Sequence, residues 1–254
     1  MKEPVMKKLK VAAIIEARMT STRLPGKVLF PIYKDYNSIH LIVNCLKHVP
    51  RIDQIILATT TNEIDDQLQD LASKMNISCY RGSESNVMKR VKEAAHSNNA
   101  DVIVEITADC PLLDVEIVEQ TLEIFLNNNF DYVSNNNIPS YPDGLDVRVF
   151  NTSSLEKSYR MANSPSHFEH VTLHFRENPE IFSICNIIAP KSMRLPEVGI
   201  TLDQIEDLNL IKIIVKAVID RKSLLLDAGK VISFLSNNPE LLDINRQVQR
   251  KGDK

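Results

Sequence analysis

Lys10-Val-Ala-Ala-Ile-Ile15, running straight into Glu16-Ala-Arg-Met-Thr-Ser-Thr-Arg-Leu-Pro-Gly-Lys27, is the stretch on which the fold turns. Apolar side chains on successive residues leave neither face of a strand for water. That predicts a first central strand in a parallel sheet covered on both sides by helices. The next such run is Gln54–Thr60, after which Ile64, Leu68, Leu71 and Met75 recur at helical spacing over residues 63–75. A strand over 77–80, a helix over 87–95, a strand over 101–107 and a helix carrying Val118, Leu122 and Phe125 continue the alternation. The first 130 residues therefore read βαβαβαβα, an α/β fold.

Past Asn127-Asn-Asn129 the pattern loosens. Short extended pieces over 131–134 and 146–150 flank a turn-rich stretch ending in Pro142-Asp-Gly144, which predicts mixed or antiparallel pairing. Helices are expected over 154–162 and 168–177, strands over 182–188 and 198–202, and a helix through Leu208, Ile211, Val215 and Val218. A helical tail is expected to fray into Arg250-Lys-Gly-Asp-Lys254. No repeat, low-complexity tract or long linker interrupts the chain, so 1–254 is taken as one domain.

The 254 residues carry 30 Lys+Arg against 33 Asp+Glu, a formal net charge of -3, with 43% hydrophobic and 25% charged residues. These values fit a folded globular protein and exclude a disordered or fibrous one. Near balance also removes the basic field that non-specific nucleic-acid or anionic-membrane binders need, so any anion must be met by a local cluster. Cys45, Cys79, Cys110 and Cys185 form no C-x-x-C pair, as expected of reduced thiols in a cytoplasmic protein. The basic amino terminus precedes an apolar run, Val11 to Ile15, too short for a signal sequence or a membrane span, so neither export nor anchoring is expected.

A local anion-binding cluster stands directly after the first strand: Arg18, Arg23 and Lys27, interleaved with Thr20, Ser21 and Thr22. Open α/β sheets bind ligands at the carboxyl ends of their strands, and three cations among hydroxyls suit a polyphosphate. A solvated basic turn is the plain alternative. The loop is not a Walker A motif, because Ser21 stands where Gly is needed before Gly26 and Val28 follows Lys27. Nor is it a dinucleotide fingerprint, since Gly26 is its only glycine, which disfavours an oxidoreductase. With 6 Gly in the chain, side-chain cations rather than a backbone cradle must meet the phosphates.

Ala17-Arg-Met-Thr-Ser-Thr-Arg-Leu-Pro-Gly-Lys-Val-Leu29 resembles the signature of the SpsF-like cytidylyltransferases, relatives of the synthetases that make CMP-Kdo and CMP-sialic acid. Further segments resemble that family in order. They are Arg81-Gly-Ser-Glu84 with Asn86, Val87 and Arg90; Thr107-Ala-Asp-Cys-Pro-Leu-Leu113; Pro142-Asp-Gly-Leu-Asp-Val147; Glu169-His-Val171; and Leu202-Asp203 with Glu206-Asp-Leu208. Together they cover about residues 10–212. The chain departs from the family at Glu16, commonly Gln or Pro, at Thr20, commonly Gly, and at Ile205, typically Pro. The segment after the loop, Pro31-Ile-Tyr-Lys-Asp-Tyr-Asn37, also lacks the usual Gly-Lys-Pro turn.

The resemblance implies a three-layer α/β/α nucleotide-diphosphosugar-transferase-like (GT-A type) fold with a mostly parallel central sheet. It divides the chain into a nucleotide-binding half at about 10–130, a sugar-binding and possible dimerisation half at about 131–225, and a helical tail at 226–254. The implied activity is transfer of CMP from CTP to an acidic sugar, of nonulosonic or 2-keto-3-deoxy acid type, with release of pyrophosphate for surface glycan assembly. Nucleotide contacts would come from Ala17, Arg18, Met19, Ser21, Thr22, Arg23 and Lys27, from Thr107, Ala108 and Asp109, and, towards the base and ribose, from Arg81, Ser83, Asn86 and Arg90. Asp109 and Asp203 would hold Mg²⁺ on the nucleotide phosphates, completing a catalytic set with Arg18, Arg23 and Lys27. Asp143, Gly144, Asp146 and His170 would face the sugar, and relatives suggest a homodimer.

Plainer readings stand beside these. Asp203 serves equally as a helix N-cap, Ser83 or Ser85 as the cap of the helix that follows, and Asp143-Gly144 as a hairpin turn. Glu206 and Asp207 suit a helix's first turn. His167, His170 and His174 would share one side of a continuous helix, but they lack the order of a zinc motif. Cys110 reads as a buried small hydrophobe. The rival functions are a nucleotidyltransferase with another nucleotide or a sugar-phosphate or polyol-phosphate acceptor, and a catalytically silent nucleotide-binding protein.

Overall fold

The computed structural model describes residues 8–249; the start of the basic amino terminus and the tail from Arg250 to Lys254 lie outside the described residues. Val11–Glu16 (β1) pairs in parallel with both Gln54–Thr60 (β2) and Val102–Thr107 (β4), and β2 pairs in parallel with Ser78–Gly82 (β3). The remaining strands are Tyr132–Ser134 (β5), Arg148–Asn151 (β6) and Ile184–Asn186 (β7). The seven strands run β3-β2-β1-β4-β6-β5-β7, with β6 antiparallel to both its neighbours. The loosened pattern after residue 130 is therefore the reversed strand of an otherwise parallel sheet.

Successive residues of a strand point to opposite faces, so the continuous apolar runs feed two helical layers. Ala13 and Ile15 of β1 are buried with Ile39 and Ile42 of Ser38–Lys47 (α1), and with Leu68 of Asp66–Lys74 (α2). Val118 of Val115–Leu126 (α4), Ile211 of Ile205–Val218 (α8) and Val231 of Ala228–Asn237 (α9) complete that layer. Ala12 and Ile14 are instead buried with Met88 and Val91 of Val87–Ser97 (α3) and Leu155 of Thr152–Met161 (α5). Two short helices, Pro165–Glu169 (α6) and Leu173–Glu177 (α7), finish this second layer, where the Tyr132 and Phe175 rings stack with centroids 5.5 Å apart. The result is the expected three-layer α/β/α architecture. The helix between the first two strands, α1, starts at Asn37, whose side chain accepts the His40 N–H.

Three expectations change. The helix over 168–177 is broken: His170 adopts an extended backbone, and α6 and α7 flank it, so the three histidines do not share a helix face. The strand over 198–202 makes one bridge, Gly199 to Asp143; all five of its residues are buried, but its backbone bonds to loops. The strand over 182–188 shortens to β7.

Candidate active site

The loop after β1 is held open by its own main chain. Gly26, at φ 72, donates its N–H to the Met19 carbonyl at 2.9 Å, closing residues 19–26, Arg23 among them, into a ring. A left-handed residue is needed there, which is why Gly stands before Lys27. The far side of the ring is fixed by Asp65, which is fully buried: its carboxylate accepts the Met19 N–H at 2.8 Å and the Thr60 hydroxyl. The Thr20 hydroxyl and the Asn62 amide both donate to Glu84.

Above the carboxyl ends of β1 and β4 lies a cavity of about 620 Å³. The segment 198–203 is drawn onto its rim because Leu202 N–H donates to the Asp109 carbonyl at 2.8 Å. The two aspartates named from the sequence thereby meet. Lys27 Nζ lies 2.8 Å from Asp109 Oδ2 and 2.9 Å from Asp203 Oδ1, and Arg23 Nη2 reaches Asp203 Oδ1 at 2.6 Å. Lys27 and Asp203 are 7% and 4% exposed, so these charges interact away from bulk water. Burial alone would raise the Asp109 carboxyl, but the Lys27 ammonium, with hydrogen bonds from Thr107 and the Asp109 main chain, outweighs it and holds Asp109 below the usual carboxylate range. Burial likewise disfavours the charged Lys27, and the two carboxylates overcome this and raise it.

Asp203 is not the helix cap. Gln204 is, in a capping box with Asp207, whose carboxylate accepts the N–H groups of Asp203 at 3.1 Å and Gln204 at 2.9 Å. This leaves the Asp203 side chain to the cavity. Asn245 in turn donates to Asp207 Oδ1 at 2.8 Å and to the Gly199 carbonyl at 2.9 Å.

Ala17, Arg18, Ser21, Thr22, Arg23 and Lys27 line the cavity. So do Arg90, Thr107, Ala108, Asp109 and Asp203, together with Asp143, Asp146 and His170. Other residues named from the sequence do not line the cavity and make contacts within the fold. Met19 packs in the core. Arg81 ties down the end of β2, donating to the Thr60 and Asn62 carbonyls at 2.8 and 2.7 Å and pairing with Asp66. The cap of α3 is Asn86, which accepts the Lys89 N–H at 2.7 Å, while the Ser83 hydroxyl accepts the Asn86 N–H at 3.1 Å; neither Ser83 nor Ser85 caps the helix. Gly144, at φ 118, allows the close approach of the Ile200–Thr201 backbone.

The histidines separate. His167 and His174 meet edge to face with ring centroids 5.0 Å apart, and are bound to Glu177 at 2.6 Å and Ser158 at 2.9 Å. His170 instead faces the cavity. The three histidines are thus not brought together, and among the described residues no group of three or more His, Cys, Asp or Glu is arranged to hold a metal. Cys110 is 2% exposed and burial pushes its thiol far up, which suits its reading as a small hydrophobe.

Sequence reasoning passed over Asp65, Glu105 and Arg148. Asp65 carried no signal, since it sits in an ordinary acidic turn. Glu105 did carry one: it is the only charge in the apolar run of β4, and it is 3% exposed.

The sequence model of one family, described as Cytidylyltransferase, matches residues 12–228. The chain belongs to the cytidylyltransferase family. It is 30% identical over 231 residues to the spore coat polysaccharide biosynthesis protein SpsF of Bacillus subtilis, spanning 89% of this chain and 94% of that one. A 3-deoxy-manno-octulosonate cytidylyltransferase of Nitratiruptor is 28% identical over 120 residues, 45% of this chain and 47% of the relative. Among solved structures, a cytidylyltransferase from Leptospira borgpetersenii superposes with a TM-score of 0.87 at 29% identity, covering 95% of this chain and all of that one. As a cytidylyltransferase the chain is a nucleotidyltransferase enzyme, and the cavity at the end of β1 is its candidate active site.

Proposed function

We propose that the enzyme transfers CMP from CTP to an acidic sugar of nonulosonic or 2-keto-3-deoxy acid type, releasing pyrophosphate. The observation that carries this reading is the meeting of Asp109 and Asp203 under the cations of the loop after β1. Nucleotidyl transfer needs triphosphate charge neutralised and the leaving pyrophosphate stabilised, with little covalent work left to the protein. Arg18 and Arg23 bring planar forks and Lys27 a point charge to phosphate oxygens at different angles. Ser21 and Thr22 add hydroxyl donors, and Asp143, Asp146 and His170 face the acceptor. The relationship to a 3-deoxy-manno-octulosonate cytidylyltransferase supports an acidic sugar, and that to a polysaccharide biosynthesis protein supports a role in surface glycan assembly.

The donor set suits magnesium. Two carboxylates already share one cation, the Lys27 ammonium, and Mg²⁺ favours one or two carboxylates completed by phosphates and water. When bound, Mg²⁺ would supply charge neutralisation at the phosphates. Asp109 and Asp203 would hold it, and Lys27 and Arg23 would then be available to the pyrophosphate.

The same reading takes the protein as a cytoplasmic homodimer. Four free cysteines support a reducing compartment, and among the described residues no helix is long and apolar enough to cross a membrane. Sedimentation of the purified protein tests the dimer.

Thermal denaturation with CTP, UTP, GTP or ATP, each with and without Mg²⁺, tests the donor. A ligand at about 100 times its Kd stabilises by about 2.7 kcal/mol. CTP should give the largest shift, enlarged by Mg²⁺, and pyrophosphate release should then appear with acidic sugars. A larger shift with another nucleotide would overturn the assignment of CTP, and release only with sugar phosphates would overturn that of the acceptor.

A further inference from the structure

The gap between the two carboxylates is filled by a cation of the chain itself. Lys27 Nζ touches Asp109 Oδ2 at 2.8 Å and Asp203 Oδ1 at 2.9 Å, and the Lys27 side chain is buried. Asp203 Oδ1 meets a second cation, Arg23 Nη2, at 2.6 Å. Two carboxylates thus face two cations, and the cluster is neutral by itself. Asp109 Oδ1 is turned towards the Cys110 thiol, 3.9 Å away. The oxygens that meet in the gap are the ones the ammonium already holds.

A divalent cation competes for that position. Magnesium takes carboxylate oxygens together with phosphate and water, and the Lys27 ammonium is a compact point charge that spans two carboxylates in the same way. A divalent ion joining the neutral cluster would leave two positive charges uncompensated. It would also meet the ammonium as a like charge where little water screens the repulsion. A triphosphate arriving alone would face the carboxylates with the same difficulty in the opposite sign. Each of the two ligands relieves what the other imposes.

Lys27 is able to give way without disturbing the loop. Its N–H donates to the Leu24 carbonyl at 3.2 Å, its carbonyl accepts the Phe30 N–H at 3.2 Å, and its neighbour Val28 is 2% exposed, so the main chain is anchored. The side chain beyond it is a flexible four-carbon stem that can turn by itself. Arg18, Ser21, Thr22 and Arg23 line the same cavity, and an anion gathered by them offers the ammonium a new partner.

We propose that Lys27 is an internal counter-ion that keeps Asp109 and Asp203 closed to a divalent cation until a triphosphate draws the ammonium away, so that the chain takes up cation and nucleotide as a coupled pair. Such coupling is reciprocal: whatever factor the nucleotide adds to cation affinity, the cation adds to nucleotide affinity. That the anion is CTP rests on the function proposed above; the occupied carboxylate pair does not.

Binding of Mn²⁺ to the whole protein, counted from the electron paramagnetic resonance of the free ion and without any acceptor, tests this apart from turnover. In the absence of nucleotide, Lys27→Met should bind Mn²⁺ at least about tenfold more tightly than wild type, because a like charge has gone. Lys27→Arg, which keeps the charge, should stay weak, and adding Asp203→Asn to Lys27→Met should lose the gain. Lys27→Gln takes the place of Lys27→Met should that variant fail to fold. Saturating CTP should raise Mn²⁺ affinity at least about tenfold more in wild type than in Lys27→Met; the Mn²⁺ complex of CTP in solution is common to both and cancels. Equal nucleotide-free affinity in wild type and Lys27→Met, a gain in Lys27→Arg, or a gain that survives Asp203→Asn would overturn the counter-ion. An equal effect of bound CTP in both proteins would overturn its release by nucleotide. A nucleotide-free gain in Lys27→Met with no CTP bound at any Mn²⁺ concentration would support the counter-ion and count against the donor assigned above.

Discussion

Asp109 is the residue whose change discriminates most sharply between chemistry and architecture. Its carboxylate meets Lys27, while its main-chain carbonyl holds Leu202 and so the segment leading to Asp203. Asp109→Asn keeps the main-chain bond and the side-chain volume but discards the charge. Turnover should fall by about 10²–10³, the scale of a lost electrostatic stabiliser of the transition state. The melting temperature should stay within a few degrees of wild type. Near-normal turnover in a pyrophosphate assay would remove Asp109 from the catalytic set.

Much of the site was legible residue by residue because its members end buried strands or sit in one short basic loop. Arg18, Arg23, Lys27 and Asp109 all announce themselves this way. Asp203 did not, because a carboxylate just before a helix reads as a cap, and only the hydrogen bonds of Asp207 show that this task is taken. Arg81 was named by resemblance alone; it sits within β3, and its guanidinium turns to the Thr60 and Asn62 carbonyls.

Among the elements, the bridge between Asp143 and Gly199 depends on one glycine. A Cβ on Gly144 would lie 2.9 Å from the Ile200 carbonyl carbon and 2.9 Å from Thr201 N, at a φ of 118 that side chains avoid. Backbone on both sides leaves nothing flexible to give. Gly144→Ala should cost about 2 kcal/mol or more, lower the melting temperature by about 5 °C, and reduce turnover by moving Asp203, two residues beyond Thr201. A melt and an activity assay on one preparation check both, and a fully active, fully stable variant would show that the segment can move.

The α6–α7 pair predicts a pH effect. Burial, and then His167, lower the His174 imidazole below its ordinary value, with Glu177 opposing. The unfolded chain therefore binds this proton more readily than the native one, so stability is full above about pH 6.5 and declines as pH falls through that value. Melts at about pH 7.5 and 5.5 should show the loss, and His174→Gln should reduce it. The break between these helices was not legible: apolar and aromatic residues continue through Val171 at helical spacing, and only tertiary contact turns His170 into an extended link. The segment 198–202 was read as a strand for a similar reason, since the apolar Val198, Ile200 and Leu202 look the same in the sequence whether the backbone bonds to a ladder or to loops.

At the scale of the molecule the alternation of strands and helices in the first 130 residues was readable, because residues buried on both strand faces leave one architecture open, although no segment was named for α1. The reversal at β6 was only suggested. Strand polarity follows from which short segments find each other across the sheet, and β5, β6 and β7 are three or four residues each. Metal dependence belongs to this scale as well, since the two carboxylates come from opposite halves of the chain. Removal of divalent cations with EDTA should abolish turnover, and Mg²⁺ should restore it within the dead time of mixing; an unaffected rate would exclude a metal from the reaction.

The long reach of these contacts has a consequence for how the enzyme comes into being. Lys27 and Asp203 stand 176 positions apart, and Asn245, 38 positions past Asp207, steadies the turn that presents Asp203. A ribosome delivers the basic loop 176 positions before its acidic counterpart. The basic loop therefore meets its carboxylate partner, and the turn that presents that partner is steadied, only in copies whose synthesis has run past Asn245.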